Sequence, residues 1–222
     1  MLYEGQDINI TLIFGLDYYR RVAGAYLNAL ERRAGEGKPI DDIHSVASFF
    51  VSRVDTKVDN LLDGLVQRGK LSANEANRLH GRTAVANAKR AYQAYKEIFV
   101  SDRFKKLEAL GARPQRCLWA STSTKNPSYP DLLYVDSLIG PETVNTMPLK
   151  TLEAYANYGD PAPRLEDQLD QARKLFSQLE EVGIDIKQVT NELIAEGVEA
   201  FAKAHDKLIE SISSKSAVVA RR

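Results

Sequence analysis

The sequence has little cysteine and no excess of charge of either sign. Its single cysteine, Cys117, cannot form a disulfide bond within the chain. The 30 lysines and arginines balance 30 aspartates and glutamates, so no overall field favours nucleic acid or an anionic membrane. No apolar run approaches the roughly 18 residues of a membrane span, and no signal peptide opens the chain. These absences favour a cytoplasmic protein with neither nucleic acid nor membrane as a partner.

Several motifs of well-known enzyme classes are also missing. There is no G-x-S-x-G turn of a serine hydrolase and no G-x-G-x-x-G turn of a dinucleotide-binding protein. The three histidines, His44, His80 and His205, lie far apart and show no metal-ligand spacing. Cys117 lies in an apolar run without a visible partner, so we interpret it as a buried strand residue.

The segments that are present alternate between strand and helix patterns. Four short runs contain mostly β-forming residues, at 8–14, 45–51, 116–121 and, more weakly, 143–147. Each is followed by a stretch with helical periodicity, which predicts an α/β fold with a parallel sheet. At 222 residues the chain is shorter than the roughly 250 residues of a complete (β/α)8 barrel.

Long helical segments interrupt and follow this pattern. An excursion over residues 54–113 predicts two or three helices, with a capping box at Ser72 and Glu75 opening a long helix to about Leu110. Residues 161–212 carry two apolar stripes that we interpret as core packing of C-terminal helices. The stripes are Leu165, Leu169, Leu175 and Leu179, then Val189, Leu193, Val198, Phe201 and Leu208. Residues 1–160 are thus predicted to form the sheet-containing part of one domain and 213–222 a frayed tail.

Polar side chains concentrate at the first two predicted strands, near the edge where functional groups of parallel α/β folds gather. Asn9 and Thr11 are two residues apart and so share one strand face. They could bind a polyhydroxylated ligand, or they could bond to each other or to an ordered water. The second strand carries Ser48 and Phe50 on one face and is followed by Arg53, whose guanidinium suits phosphate. Taken alone, Arg53 fits a helix-start or surface position better than a phosphate site.

A hydroxyl-rich loop follows the third predicted strand. Ser121, Ser123 and Lys125 lie within Ser-Thr-Ser-Thr-Lys-Asn-Pro, which could surround an anion with hydroxyl and backbone donors. The loop lacks the spaced glycines of a nucleotide-binding P-loop. An ordinary hydroxyl-rich turn is the alternative.

Four motifs in this order resemble the transaldolase family. They are Asn-Ile-Thr-Leu-Ile-Phe at 9–14, Ser-Val-Ala-Ser-Phe-Phe-Val-Ser-Arg-Val-Asp at 45–55, Trp-Ala-Ser-Thr-Ser-Thr-Lys-Asn-Pro at 119–127 and Thr-Val-Asn-Thr-Met-Pro at 143–148. The similarity extends from residue 8 to about 212 and is closest to transaldolases that also occur fused to a glucose-6-phosphate isomerase domain. The resemblance implies a (β/α)8 barrel of the pentose phosphate pathway, needing neither metal nor organic cofactor. Its reaction moves a dihydroxyacetone unit from a ketose phosphate to an aldose phosphate through a lysine Schiff base.

The resemblance also implies roles for individual residues. Asn9 would bind the three-carbon unit, and Thr11 would help hold the water that relays protons. Ser48 would contact a substrate hydroxyl, Phe50 would wall the site, and Arg53 would bind the substrate phosphate. Many family members have a second arginine for the phosphate, and the matching loop here offers Ser121, Ser123 and Lys125 instead.

One departure from the family is larger than any substitution. The Asn-x-Thr strand is the fifth of eight in the family, and the Schiff-base lysine lies on the strand before it. Only seven residues precede Ile8 here. We therefore expect an incomplete barrel of four parallel strands from the second half of the fold, an N-terminal truncation, and no activity from this chain alone. The alternative is a non-catalytic remnant that binds sugar phosphates or associates with itself. The expected partners are sugar-phosphate substrates, a second copy of the chain or a missing N-terminal half.

Overall fold

The computed structural model describes residues 1–219 and contains one parallel sheet surrounded by helices. The sheet has four strands in the order β1-β2-β3-β4, each paired in parallel with the next. Their bounds are β1 Ile8–Ile13, β2 Ser45–Phe50, β3 Arg116–Ala120 and β4 Thr143–Asn145. This confirms the predicted α/β class with four parallel strands, consistent with part of a (β/α)8 barrel.

A short 3-10 turn at Leu2–Glu4 precedes β1, and nine helices fill the rest of the described chain. One helix lies between β1 and β2, four lie between β2 and β3, one lies between β3 and β4, and three follow β4. The bounds are α1 Leu16–Gly35, α2 Ser52–Gln67, α3 Ala73–Leu79, α4 Thr83–Phe99, α5 Asp102–Glu108, α6 Leu133–Asp136, α7 Leu149–Tyr158, α8 Leu169–Glu181 and α9 Ile186–Val219.

The two faces of the sheet differ because strand side chains alternate. Ala47 and Phe49 of β2 and their register partners Cys117 and Trp119 of β3 are buried in the core. Phe49 meets the Trp119 ring edge-on, with centroids 6.1 Å apart. The opposite face carries Asn9 and Ser48, joined by a hydrogen bond. This face thus combines polar side chains with apolar ones such as Phe50, which packs against Phe14.

The excursion between β2 and β3 forms four helices, so the prediction of one long helix from residue 72 to about Leu110 is wrong. The capping box is confirmed: the Glu75 amide donates to the Ser72 hydroxyl, and the Glu75 carboxylate accepts from the Ser72 amide. The helix it opens ends after seven residues, before Gly81 at φ +66°. A second break follows α4, where the Ser101 hydroxyl caps α5 by accepting from the Phe104 amide.

The C-terminal helix α9 extends beyond the core. Its first part is buried at Val189 and Leu193, and Gly197 packs against Leu12 of β1. Beyond that contact the helix leaves the sheet, and the predicted core positions Val198, Phe201 and Leu208 are exposed, so the second stripe is core packing only at its start. The helix continues to Val219, past residue 213, where the sequence predicts the start of a frayed tail. Residues 220–222 of that tail lie outside the described residues.

Within residues 1–219, no helix is both long enough and apolar enough to span a bilayer.

Candidate active site

The first part of the candidate site lies on β1 and β2. The Ser48 hydroxyl donates to the Asn9 side-chain oxygen at 2.6 Å, across neighbouring strands. Ser48 is buried, whereas Asn9 and Thr11 are exposed on their strand. The register between the two strands shifts between Ile10 and Ile13, and Leu12 between them has φ +59°. The bulge therefore falls directly after Thr11 and alters the direction of the chain at the end of β1.

The second part is the start of α2. Arg53 is exposed in the first turn of this 16-residue helix, with its guanidinium carbon 5.7 Å from the centre of the Phe50 ring. Backbone N–H groups of a helix's first turn lack intrahelical partners and carry partial positive charge. In α2 the Ser52 and Val54 amides already donate to carbonyls at 3.0 Å, so the cationic Arg53 side chain is the main group here suited to an anion.

The loop after β3 lies against this helix start. The hydroxyls of Ser52 and Ser121 are 3.0 Å apart, and the Ser52 amide donates to the Ser121 carbonyl at 3.0 Å. Ser121 has φ +57°, a left-handed conformation that is uncommon for serine. Non-glycine residues in this conformation cluster at functional sites, where surrounding contacts maintain the strain. The pairing of β2 and β3 therefore continues one step past the strands and joins the two predicted phosphate-binding segments.

The remaining residues of the loop hold one another and β4. The Lys125 ammonium donates to the Ser123 hydroxyl at 2.9 Å, and both residues lie towards solvent. The Thr122 hydroxyl is buried and donates to the Asn145 side-chain oxygen at 2.9 Å. Three neighbouring strand ends therefore contribute polar groups at one edge of the sheet.

Two buried aspartates of α2, Asp55 and Asp59, accept hydrogen bonds from tyrosines of the segment after β3. Asp55 accepts from the Ala84 amide at 2.7 Å and from the Tyr134 hydroxyl at 2.8 Å. Four residues further along α2, on the same helix face, Asp59 accepts from the Tyr129 hydroxyl at 2.8 Å. Asp59 also accepts from the Gly81 amide at 3.1 Å. Each aspartate thus ties the segment after β3 to the start of α4, which has no side-chain cap of its own.

Burial dominates the electrostatics of these pairs. Loss of solvation raises the pKa of Asp55 to about 7, even though the Ala84 amide and Tyr134 hydroxyl favour the carboxylate. Asp59 is less enclosed, and burial also raises its pKa. Burial and the adjacent carboxylates raise the pKa of both tyrosines, so Tyr129 and Tyr134 remain neutral hydrogen-bond donors near neutral pH.

Cys117 has the position expected of a core residue. Its thiol is fully buried and contacts the Tyr19 hydroxyl at 3.5 Å. Burial raises the pKa of this thiol to about 12, so it does not form a nucleophilic thiolate near neutral pH.

The structure groups the predicted residues into two sets. Asn9 and Ser48 are in direct contact, and the Arg53 segment meets the Ser121–Lys125 segment through Ser52. Sequence reasoning did not select Ser52, Asp55 or Thr122 as site residues. Ser52 and Thr122 are adjacent in sequence to selected residues, and that proximity could have indicated them. Asp55 gives no such indication, because its partner Tyr134 lies 79 residues away in sequence.

A parallel sheet whose polar strand ends share one edge is the arrangement of α/β-barrel enzymes, whose sites lie at that edge. The family model described as Transaldolase/Fructose-6-phosphate aldolase matches residues 1–212. The chain belongs to this family.

Curated relatives named transaldolase give the same result. The chain is 44% identical over 224 residues to the transaldolase of Trichodesmium erythraeum (strain IMS101), covering 97% of this chain and 58% of that protein. It is 47% identical over 212 residues to that of Mycolicibacterium smegmatis (strain ATCC 700084 / mc(2)155), covering 95% and 56%. The Thermobifida fusca (strain YX) protein is 46% identical over 217 residues, covering 97% and 57%. The chain spans just over half the length of these relatives.

Proposed function

We propose that this chain forms the substrate-holding part of a transaldolase. The reaction would transfer a dihydroxyacetone unit from sedoheptulose 7-phosphate or fructose 6-phosphate to an aldose phosphate through a lysine Schiff base. The 3.0 Å contact between the Ser52 and Ser121 hydroxyls carries the proposal, because it sets the start of α2 against the loop after β3. Family membership supports the same reaction class.

The chain's own residues would divide this work by chemistry. The bonded pair of Asn9 and Ser48 offers an amide and a hydroxyl to the hydroxyls of the three-carbon unit. Thr11 is exposed two residues after Asn9 on the same face of β1, and it would help hold a water that relays protons. Arg53 would bind the phosphate, with Phe50 as an apolar wall beside the guanidinium.

The loop after β3 would complete the phosphate site. Ser121 and Ser123 would donate hydroxyl hydrogen bonds, and Lys125 would add a second positive charge. Asp55 and Asp59 would act only as positioning residues, since their carboxylates contact tyrosines of the adjoining segment.

Binding of fructose 6-phosphate tests the phosphate site. Replacing Arg53 or Lys125 by alanine removes one charge-assisted contact, so each change should weaken binding about ten- to a hundredfold. Unphosphorylated fructose should bind these variants and the wild type alike, as judged by titration calorimetry. Lys70→Ala, at an exposed position outside the site, is the matched control. Equal weakening for both sugars would show that the loop has a structural role only.

Schiff-base formation is a separate question, because none of the four strands of the described sheet carries a lysine. A Schiff-base lysine needs a desolvated pocket that depresses its pKa, and Lys125 is exposed. We infer that this chain alone is inactive as a transaldolase. Borohydride treatment with fructose 6-phosphate should leave its mass unchanged. A stable adduct on any of its lysines would contradict this inference.

The partners proposed for the chain follow from the same site and sheet. Sugar phosphates would be the substrates, in the cytoplasm. The sheet ends at β1 and β4, and unpaired strand edges favour association with another chain. Self-association or pairing with an N-terminal half is therefore part of the proposal.

A further inference from the structure

A cavity lies away from the strand ends, between α4, α8 and the segment around α6. Its volume is about 510 Å³, within the range of small-molecule sites. Arg82, at the N-cap of α4, and Lys89, within α4, line one side. Gln171 and Lys174 line it from α8, and Ser137 from the end of α6. Among the described residues that line it, none is an aspartate or a glutamate. The cavity is therefore cationic in a protein whose charges balance overall.

Lys89 is the most unusual of these cations. It is only 7% exposed, although lysine is rarely buried without a carboxylate partner. Its ammonium donates to the backbone oxygen of Asp167 at 2.7 Å, and within residues 1–219 it forms no ion pair with a carboxylate. Burial lowers the pKa of Lys89, and the negative charge of Asp167 offsets part of that shift without forming an ion pair with the ammonium. One donor is used by the carbonyl, which leaves two N–H groups and a positive charge that an anion could satisfy.

The other two cations are placed to contact the same ligand. Arg82 precedes Lys89 by seven residues, two helical turns, so both lie on one side of α4. Lys174 lines the cavity from the facing helix α8, next to Gln171. Amide and hydroxyl groups between cations suit the hydroxyls of an organic phosphate, and the space exceeds what one inorganic phosphate fills.

We propose that this cavity is a second anion site, binding a small phosphorylated organic molecule through Lys89, Arg82 and Lys174. It is separate from the strand-end site, because Arg53 and Lys125 do not line it. Gly81 and Arg82 both line the cavity. The Gly81 amide donates to Asp59, which also accepts from Tyr129 of the loop after β3. A ligand here would therefore contact the segment that supports that loop.

Titration calorimetry of the whole chain with inorganic pyrophosphate at low salt tests the proposal. Lys89→Met should weaken binding at least tenfold, the loss expected for one charge-assisted contact. Lys174→Met, at an exposed position that should not disturb folding, should weaken binding several-fold. Wild type and variants are all compared in an Arg53→Ala background, which removes the main phosphate contact of the strand-end site. Lys70→Met, at an exposed position that does not line the cavity, should leave this binding unchanged. Thermal unfolding of each variant separates a loss of the fold from a loss of the site.

Three results would overturn the proposal. The chain with an intact cavity could fail to bind pyrophosphate at millimolar concentration, both cavity variants could bind as tightly as that chain, or Lys70→Met could weaken binding as much as they do. In each case Lys89 would serve only to tie α4 to the backbone at Asp167.

Discussion

Asp55 combines two functions in one buried side chain: it caps the start of α4 and accepts from the Tyr134 hydroxyl. Removing a carboxylate from water is unfavourable, and the pKa rises from 3.8 to about 7 as a result. Because the folded state binds this proton more tightly than the unfolded state, the contribution of Asp55 to stability is fully present below pH 4. It is lost as the pH rises towards 7.

A pH series with Asp55→Asn tests this reasoning. At about 1.4 kcal/mol per pKa unit, the loss of wild-type stability between pH 4 and 7 should amount to about 4 kcal/mol from this residue. The difference in unfolding free energy between wild type and Asp55→Asn should therefore fall across that range. Urea unfolding at several pH values measures it, with Asp42→Asn at an exposed position as the control. A constant difference would show that Asp55 is not protonated in this range.

The candidate site could be predicted from the sequence only where its residues are neighbours in the chain. The positions of Asn9 and Ser48 are predictable because side-chain alternation sets their strand faces and parallel pairing brings the two strands together. The Asp55–Tyr134 contact depends on how α2 packs beneath a segment 79 residues away, which no local pattern encodes. The left-handed Ser121 was likewise unpredictable, since serine has no preference for that conformation.

At the level of elements, the break between α3 and α4 shows why the helices of the excursion were miscounted. Residues 73–110 have helical periodicity, and a single glycine inside such a pattern is usually tolerated. Gly81 breaks the helix because its φ is +66° and Tyr129 packs directly on it. The aromatic ring comes from the loop after β3, so a tertiary contact decides where a local element ends.

Two glycines of equal φ provide a test of that contact. A Cβ at Gly81 would lie 2.7 Å from the Tyr129 ring, whereas one at Gly69, also with φ +66°, would meet nothing within 4 Å. Gly69→Ala should cost about 1–2 kcal/mol for the left-handed backbone alone. Gly81→Ala should cost a further 1–3 kcal/mol or so, because the ring must move. Urea unfolding of both variants compares them, and equal costs would mean that Tyr129 yields freely.

On the scale of the whole molecule, the described sheet has two unpaired outer edges, at β1 and β4, and part of one face is exposed. Asn9 and Thr11 are exposed on that face, and Phe201 and Leu208 are exposed along the far part of α9. Exposed apolar side chains and unpaired edges both favour association. Pairing of two such sheets would bury both kinds of surface.

Sedimentation velocity of the purified chain should therefore show species larger than 24.8 kDa whose proportion grows with concentration. Phe201→Asp should reduce the association if the far part of α9 contributes to the contact. Lys203→Asp, two residues away on the same helix, is a control for added negative charge. A monodisperse 24.8 kDa species that unfolds cooperatively would contradict the prediction.

The pairing of Tyr129 and Tyr134 with Asp59 and Asp55 has a consequence for the order of folding. These bonds join residues 70 and 79 positions apart, so closing them requires a large loss of chain entropy. The loop after β3 can be fixed only once α2 and the start of α4 have come together. We therefore expect the phosphate-binding segment to be among the last parts of the chain to become ordered, after the core that carries it.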